Sequence, residues 1–325
     1  MDAAERARKS WLAFASRIYD SVELNGTFYS LKSPATFERW ASEVPDDGFV
    51  FAIKGGRFIT HNLKLRNCRA ALGNFFASGV LALGKKTGPF LWQLPASYRF
   101  DAERMNAFMA MLPRDSREGE GVARGHDHRL RRGSLTVSTE AVEYRHAFEV
   151  RHPSYFCEEF YDILRAHGHA FVIADTAGKF GYAEEVTADF VYVRLHGSSA
   201  LYASDYTDEE LTVWAEKIDA WTRDSRDVYV YFDNDAKVHA PYNAMQLEDL
   251  VAARLSLGAR RDKSRTGEPG GRSRHGRPDT RKRAGASTPT RSRTPTRPVN
   301  RSTSSPGLPS APSRAPGRAP PAGRR

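Results

Sequence analysis

Phe190-Val-Tyr-Val-Arg-Leu-His196 reads as a β-strand whose last residues, Arg194 and His196, are ionisable. The pairing of an apolar run with a polar end recurs on both sides of it. Toward the C-terminus follow a helix over 208–223, a strand Val228–Phe232 running into Asp233-Asn234-Asp235, and a helix over 242–256. Toward the N-terminus lie strand Ala170–Asp175, a helix over 156–167, and strand Ala147–Val150, which carries Glu149 and runs into Arg151 and His152. Before these, 114–134 is polar and reads as a surface loop, 101–112 as a helix, and Pro89–Leu94 as a strand bearing Gln93. Residues 68–83 are apolar at helical spacing, and Phe49–Lys54 is a strand. Ser33-Pro34 opens a helix to about Glu43, with a capping hydroxyl and proline at the first helical position. Ser21–Leu24 is a short strand with Glu23 inside it and Asn25 just after. Residues 1–19 read as a helix, with Trp11, Phe14, Ala15 and Ile18 at i, i+3, i+4 and i+7.

Seven strands joined mostly by helices imply an α/β fold with a mainly parallel sheet. A doubly wound open sheet and a (β/α)8 barrel compete. No GxGxxG or GxxxxGK[ST] follows a strand, which weakens nucleotide-binding versions of the open sheet. A barrel expects about 250 residues and eight strands; the length fits, and the strand count is one short. Closure with seven leaves two unpaired edges.

Charge divides the chain. Residues 258–325 hold 18 Lys and Arg against three acids, 11 of the 18 prolines and no aromatic residue, a net of +15 within a total of +10. That leaves −5 on residues 1–257, which hold all the aromatics. The expected organisation is one folded domain over 1–257 and a disordered basic tail over 258–325. The tail offers sequence-blind affinity for nucleic-acid phosphates without stacking platforms, or is an unselected GC-rich extension. No apolar run approaches the roughly 18 residues of a membrane span, and no apolar stretch marks a secretory signal after Met1. Cys68 and Cys157 make no disulfide framework or zinc motif, so a cytoplasmic, membrane-free protein is expected.

In a parallel sheet the strand ends share one face, where binding and chemistry occur. Glu23, Glu149 and Asp175 are the acid/base candidates. Lys54, Arg151 and Arg194 suit a phosphate or carboxylate on a ligand. Asn25, His61, Gln93, His152, His196 and Asn234 complete the expected substrate-binding set. Thr60 either touches ligand or caps a turn, and Phe28, Tyr29, Tyr202 and Tyr206 either line a pocket or pack at its edge. Metal binding through His61, His152 and His196 lacks any HxH or HExxH spacing, and no cofactor motif is present. GxSxG is absent, which argues against acyl-enzyme chemistry.

These residues also carry a resemblance. Ser21-Val-Glu-Leu-Asn-Gly-Thr-Phe-Tyr29, Phe51-Ala-Ile-Lys54, Thr60-His61, Gln93-Leu-Pro95, Glu149-Val-Arg-His-Pro-Ser154, Thr187-Ala-Asp-Phe-Val-Tyr-Val-Arg-Leu-His-Gly197, Tyr231-Phe-Asp-Asn-Asp235 and Asn243-Ala244 resemble the YecE-like family, domain of unknown function 72, in the family's order. The resemblance implies a TIM-like barrel, distantly similar to sugar isomerases and endonuclease IV, with no assigned activity. The family opens with a strand bearing a Gly-x-Ser-Gly-Trp-type motif that this chain lacks, so the first strand is expected to be missing and Met1 to be a late start. Asp233 stands where the family usually has Asn. The expected function is binding or turnover of a small anionic, phosphorylated or sugar-like substrate by a hydrolase, lyase or isomerase. A nucleic-acid-binding protein or a metal-dependent phosphoesterase is the alternative.

Overall fold

The computed structural model describes residues 11–45, 48–265 and 300–304. All seven expected strands form, each within two residues of its expected bounds: β1 (Ser21–Leu24), β2 (Val50–Lys54), β3 (Thr87–Gln93), β4 (His146–Glu149), β5 (Ala170–Asp175), β6 (Phe190–Leu195) and β7 (Asp227–Phe232). Every neighbouring pair is parallel. An eighth strand, β8 (Asn300–Ser304), pairs in parallel with β7 on one side and β1 on the other, and closes the barrel. Ser302 stands opposite both Tyr231 and Ser21. No strand precedes β1 among the described residues, and the place a first strand would take between β7 and β1 is held by β8.

The longer helices are α1 (Pro34–Ser42), α2 (Arg69–Ala77), α3 (Ala102–Met109), α4 (Ser116–Ala123), α5 (Glu158–His167), α6 (Asp208–Arg223) and α7 (Ala240–Arg265), with 11–15 helical ahead of them and a single turn over Gly26–Tyr29 after β1. The helix expected over 68–83 stops at Ala77. Gly79 has φ +122°, and a Cβ there would lie 2.6 Å from the Pro34 Cα, so the chain turns and resumes as a 3-10 segment over Val80–Lys86. Within the stretch expected as loop, α4 forms because Asp115 accepts the backbone N–H of Glu118, a side-chain cap at its start. Residues 258–265 extend α7 and 300–304 make β8; the remainder of the expected basic tail, with its nucleic-acid role, lies outside the described residues.

Alternation along the strands sorts the side chains. Phe190, Tyr192, Tyr229, Tyr231, Ala52, Leu91, Ala147, Ala170 and Val172 pack together inside the barrel. Val191, Val193, Leu195, Val22, Leu24, Phe51, Ile53, Phe148 and Ile173 face the helices in the outer core. Lys54, Gln93, Glu149, Arg194 and Asp233 stand two residues beyond inward-facing positions, and Glu23 lies between the outward Val22 and Leu24, so all six point into the upper end of the barrel, where the strands finish.

Candidate functional site

The floor of the barrel mouth is an ion-pair network centred on Arg194, which is fully buried. Its guanidinium donates to both oxygens of Glu23 (Nη2 to Oε1 2.8 Å, Nε to Oε2 3.1 Å), to Glu149 Oε2 at 2.7 Å and to Asp233 Oδ2 at 3.0 Å. Tyr192 donates its hydroxyl to Glu23 Oε2 at 2.7 Å. Arg151 donates Nε to Glu149 Oε1 at 2.9 Å and Nη2 to the Tyr202 hydroxyl at 3.2 Å, and its guanidinium lies over the Phe180 ring. His196 Nδ1 lies 3.0 Å from Asp233 Oδ2 but off the line a hydrogen bond needs.

These contacts set the charges. Burial works against the cation of Arg194, but Glu23, Asp233 and Glu149 more than offset it and hold its pKa well above the ordinary guanidinium value. Burial likewise pushes the Glu149 carboxyl up, and Arg151 and Arg194 outweigh it, so its pKa lies well below the usual range. Asp233 is also lowered, with Arg194 and His196 overcoming desolvation. Glu23 and Glu149, expected as acid/base groups, are fully buried and committed to arginines.

Above this floor opens a cavity of about 480 Å³ lined by Asn25, Phe28, Tyr29, Lys54, Arg57, His61, Gln93, Tyr202, Asp233 and Asp235. Of the expected site residues, Asn25, Lys54, His61 and Gln93 reach it. Lys54 is 7% exposed, and its Nζ lies 4.9 Å from the centre of the Phe28 ring. Its Nζ forms no hydrogen bond or ion pair with any described residue. Burial and the nearby Arg194 lower its pKa against the pull of Glu23, Asp233 and Glu149. His61 rests edge-on against the same Phe28 ring at 5.1 Å and bonds Thr60 through Nδ1 at 2.9 Å. Burial, then Arg57 and Lys54, push its pKa down to about 4, so its imidazole is neutral at pH 7. Thr60 is buried beneath it and orients the ring, besides bonding the Gly56 carbonyl at 3.4 Å.

Arg57 is the lining residue that strand-end reasoning misses. It follows the Gly55-Gly56 pair after β2 and stands exposed at the rim, outside any strand. Tyr202, Asp233 and Asp235 also line the cavity from loops after β6 and β7.

Three expected residues are placed elsewhere. Asp175 follows the inward-facing Ala174 and so turns outward. It accepts Tyr206 Oη at 2.9 Å and lines a separate cavity of about 370 Å³ with Trp214 and Lys217 beside α6, where burial raises its pKa. His152 accepts the N–H of Ser154 and caps the short helical turn Pro153–Tyr155. Asn234 donates to the Ser204 carbonyl and to Asn243, tying the loop after β7 to α7.

Among the described residues no group of three or more His, Cys, Asp or Glu is placed to hold a metal ion. The histidines considered for one are apart in role: His61 at the cavity, His152 in a cap, His196 in the floor. No helix among those residues is long and apolar enough to cross a membrane.

Comparison with known proteins agrees with this architecture. A DUF72 family protein from Thermotoga maritima superposes with a TM-score of 0.58 at 25% identity, over 75% of this chain and 90% of that one. A DUF72 family protein from Enterococcus faecalis shares the fold, with a TM-score of 0.57 at 18% identity over 74% and 88% of the two chains. UPF0759 protein YecE of Escherichia coli K12 is 28% identical over 143 residues, 44% of this chain and 42% of that protein. The match thus spans less than half the length of this curated relative. The family model described as protein of unknown function DUF72 matches residues 3–266, and the chain belongs to that family.

Proposed function

We propose that the barrel mouth binds a small anionic ligand, a phosphorylated or sugar-like molecule, and turns it over there. The carrying observation is Lys54: a lysine buried in the cavity wall with no polar partner for its Nζ. A ligand oxygen in the cavity would give this Nζ a charge-assisted hydrogen bond, roughly twice as strong as a neutral one. Arg57 at the rim, which forms no ion pair with a described residue, supplies a second cation, with planar donors suited to phosphate or carboxylate. Gln93 and Asn25 offer amides for hydroxyl groups, and Phe28 and Tyr29 offer ring faces. His61, rather than Glu23 or Glu149, is the acid/base group within reach of a ligand, because those carboxylates are spent on arginines. The two free thiols, Cys68 and Cys157, fit a cytoplasmic setting.

Thermal unfolding with inorganic phosphate and a panel of sugar phosphates tests this reading. A ligand at 100 times its Kd stabilises the fold by about 2.7 kcal/mol. Lys54→Met and Arg57→Ala should each weaken binding about tenfold, equivalent to roughly 1.4 kcal/mol. If no small anion shifts the transition, the reading is wrong.

A further inference from the structure

We infer that Lys54 is a carbonyl-directed nucleophile, and that the ligand carries an aldehyde or ketone which Lys54 captures as an imine. This assignment rests on the anionic-ligand reading above and names the substrate class: a small phosphorylated or carboxylated carbonyl compound. Three features of the cavity carry it. Lys54 closes β2, so its position is set by the barrel wall, and Thr27 bonds its carbonyl at 2.7 Å. Its Nζ meets an aromatic face instead of a carboxylate, although Glu23, Glu149 and Asp233 all lie near; all three are paired with Arg194. An amine set against an aromatic ring and unpaired with any carboxylate resembles the partly desolvated setting of lysines that form Schiff bases. The lowered basicity of the amine agrees with that placement.

The third feature is a base beside it. Lys54 and His61 rest against the same Phe28 ring. With the Thr60 hydroxyl proton on the Gly56 carbonyl, the Thr60 oxygen accepts Nδ1–H of His61, which leaves Nε2 as a free acceptor. Nζ in its unprotonated form attacks the carbonyl carbon, a C–N bond forms, and the carbonyl π pair moves to oxygen. His61 Nε2 takes a proton from nitrogen and returns it to that oxygen, giving a neutral carbinolamine. Loss of the second N–H proton and protonation of the hydroxyl expel water and leave the C=N bond. Atoms balance as amine plus carbonyl to imine plus water, with no oxidant or metal required. The anionic arm falls to Arg57 at the rim.

The test is reductive trapping. The full chain is treated with glycolaldehyde phosphate and cyanoborohydride at pH 7, and the modified lysines are mapped by peptide mass. Lys54 should be labelled about tenfold or more faster than the surface lysines, and inorganic phosphate should slow it. In His61→Ala the advantage of Lys54 should shrink. Lys54→Arg should lose the dominant adduct. Labelling of Lys54 no faster than surface lysines, with the phosphate shift intact, overturns the imine and leaves the anion reading standing. Absence of any phosphate shift overturns both.

Discussion

Arg194 shows how much one side chain organises. It is the hub for Glu23, Glu149 and Asp233, and it and both glutamates are fully buried. Removing one partner from a buried ion pair costs about 3–5 kcal/mol, since the remaining charges lose their compensation. Arg194→Met should therefore lower stability by at least that much in urea unfolding, whereas Arg57→Ala at the exposed rim should change it by less than about 0.5 kcal/mol. Comparable losses in both would remove the division between a structural floor and a ligand-facing rim. The residues of the floor were legible in the sequence because their charges interrupt apolar runs. Their roles were not, since strand alternation, and not proximity to a strand end, decides which way each one points. Asp175 illustrates this: one step past the inward Ala174, it belongs to a different cavity.

At the scale of elements, caps separate two helices that look alike in sequence. Thr207 accepts the N–H of Glu210, whose side chain returns to the Thr207 N–H, a complete capping box at the start of α6. Ser33 precedes α1 with the same hydroxyl chemistry but bonds Thr36 and caps no backbone N–H. Thr207→Ala should cost about 1 kcal/mol and Ser33→Ala less than about 0.5 kcal/mol, measured by thermal unfolding. Equal costs would contradict the observed geometry. The strands were readable because each is a contiguous apolar run with a clear break. Helix α4 was hidden by Gly119, Gly121 and charged residues, and only the Asp115–Glu118 spacing announced it. Strand β8 carries no apolar signal at all: Asn300-Arg-Ser-Thr-Ser304 is held through the backbone ladders that β7 and β1 offer.

For the whole molecule, acid should be the weak side. His146 spends both ring nitrogens in the neutral form, accepting from Trp92 Nε1 at 3.1 Å and donating to the Pro113 carbonyl at 2.8 Å, and burial pushes its pKa down to about 4. His169 beside it is pushed down to about 2 by burial and by its neighbours His146 and His167. In the unfolded chain both titrate near 6.5. Below that pH the unfolded chain gains protons the folded one refuses, so stability is complete above about pH 6.5 and falls on acidification. Each histidine contributes roughly 1.4 kcal/mol per pH unit in that window. Urea unfolding at pH 5 should show a loss of about 4 kcal/mol against pH 7 from the pair, and His169→Leu should remove about half of that pair's share. A flat profile would refute the assignment. Barrel closure gives a second global test. A chain ending at residue 299 exposes the edges of β1 and β7 and should self-associate in sedimentation at concentrations where the full chain does not.

The pairing of Ser21 with Ser302 has a consequence in time. β1 leaves the ribosome early, and its second partner is made 281 residues later. At about 5–20 residues per second, that is roughly 15–60 s of synthesis. Throughout that interval the nascent barrel presents an open flank to every other chain being made nearby. Chaperone occupancy on ribosome-bound chains should therefore persist after β7 has emerged and fall only once β8 has docked, which places the hazard for this protein in its birth more than in its finished form.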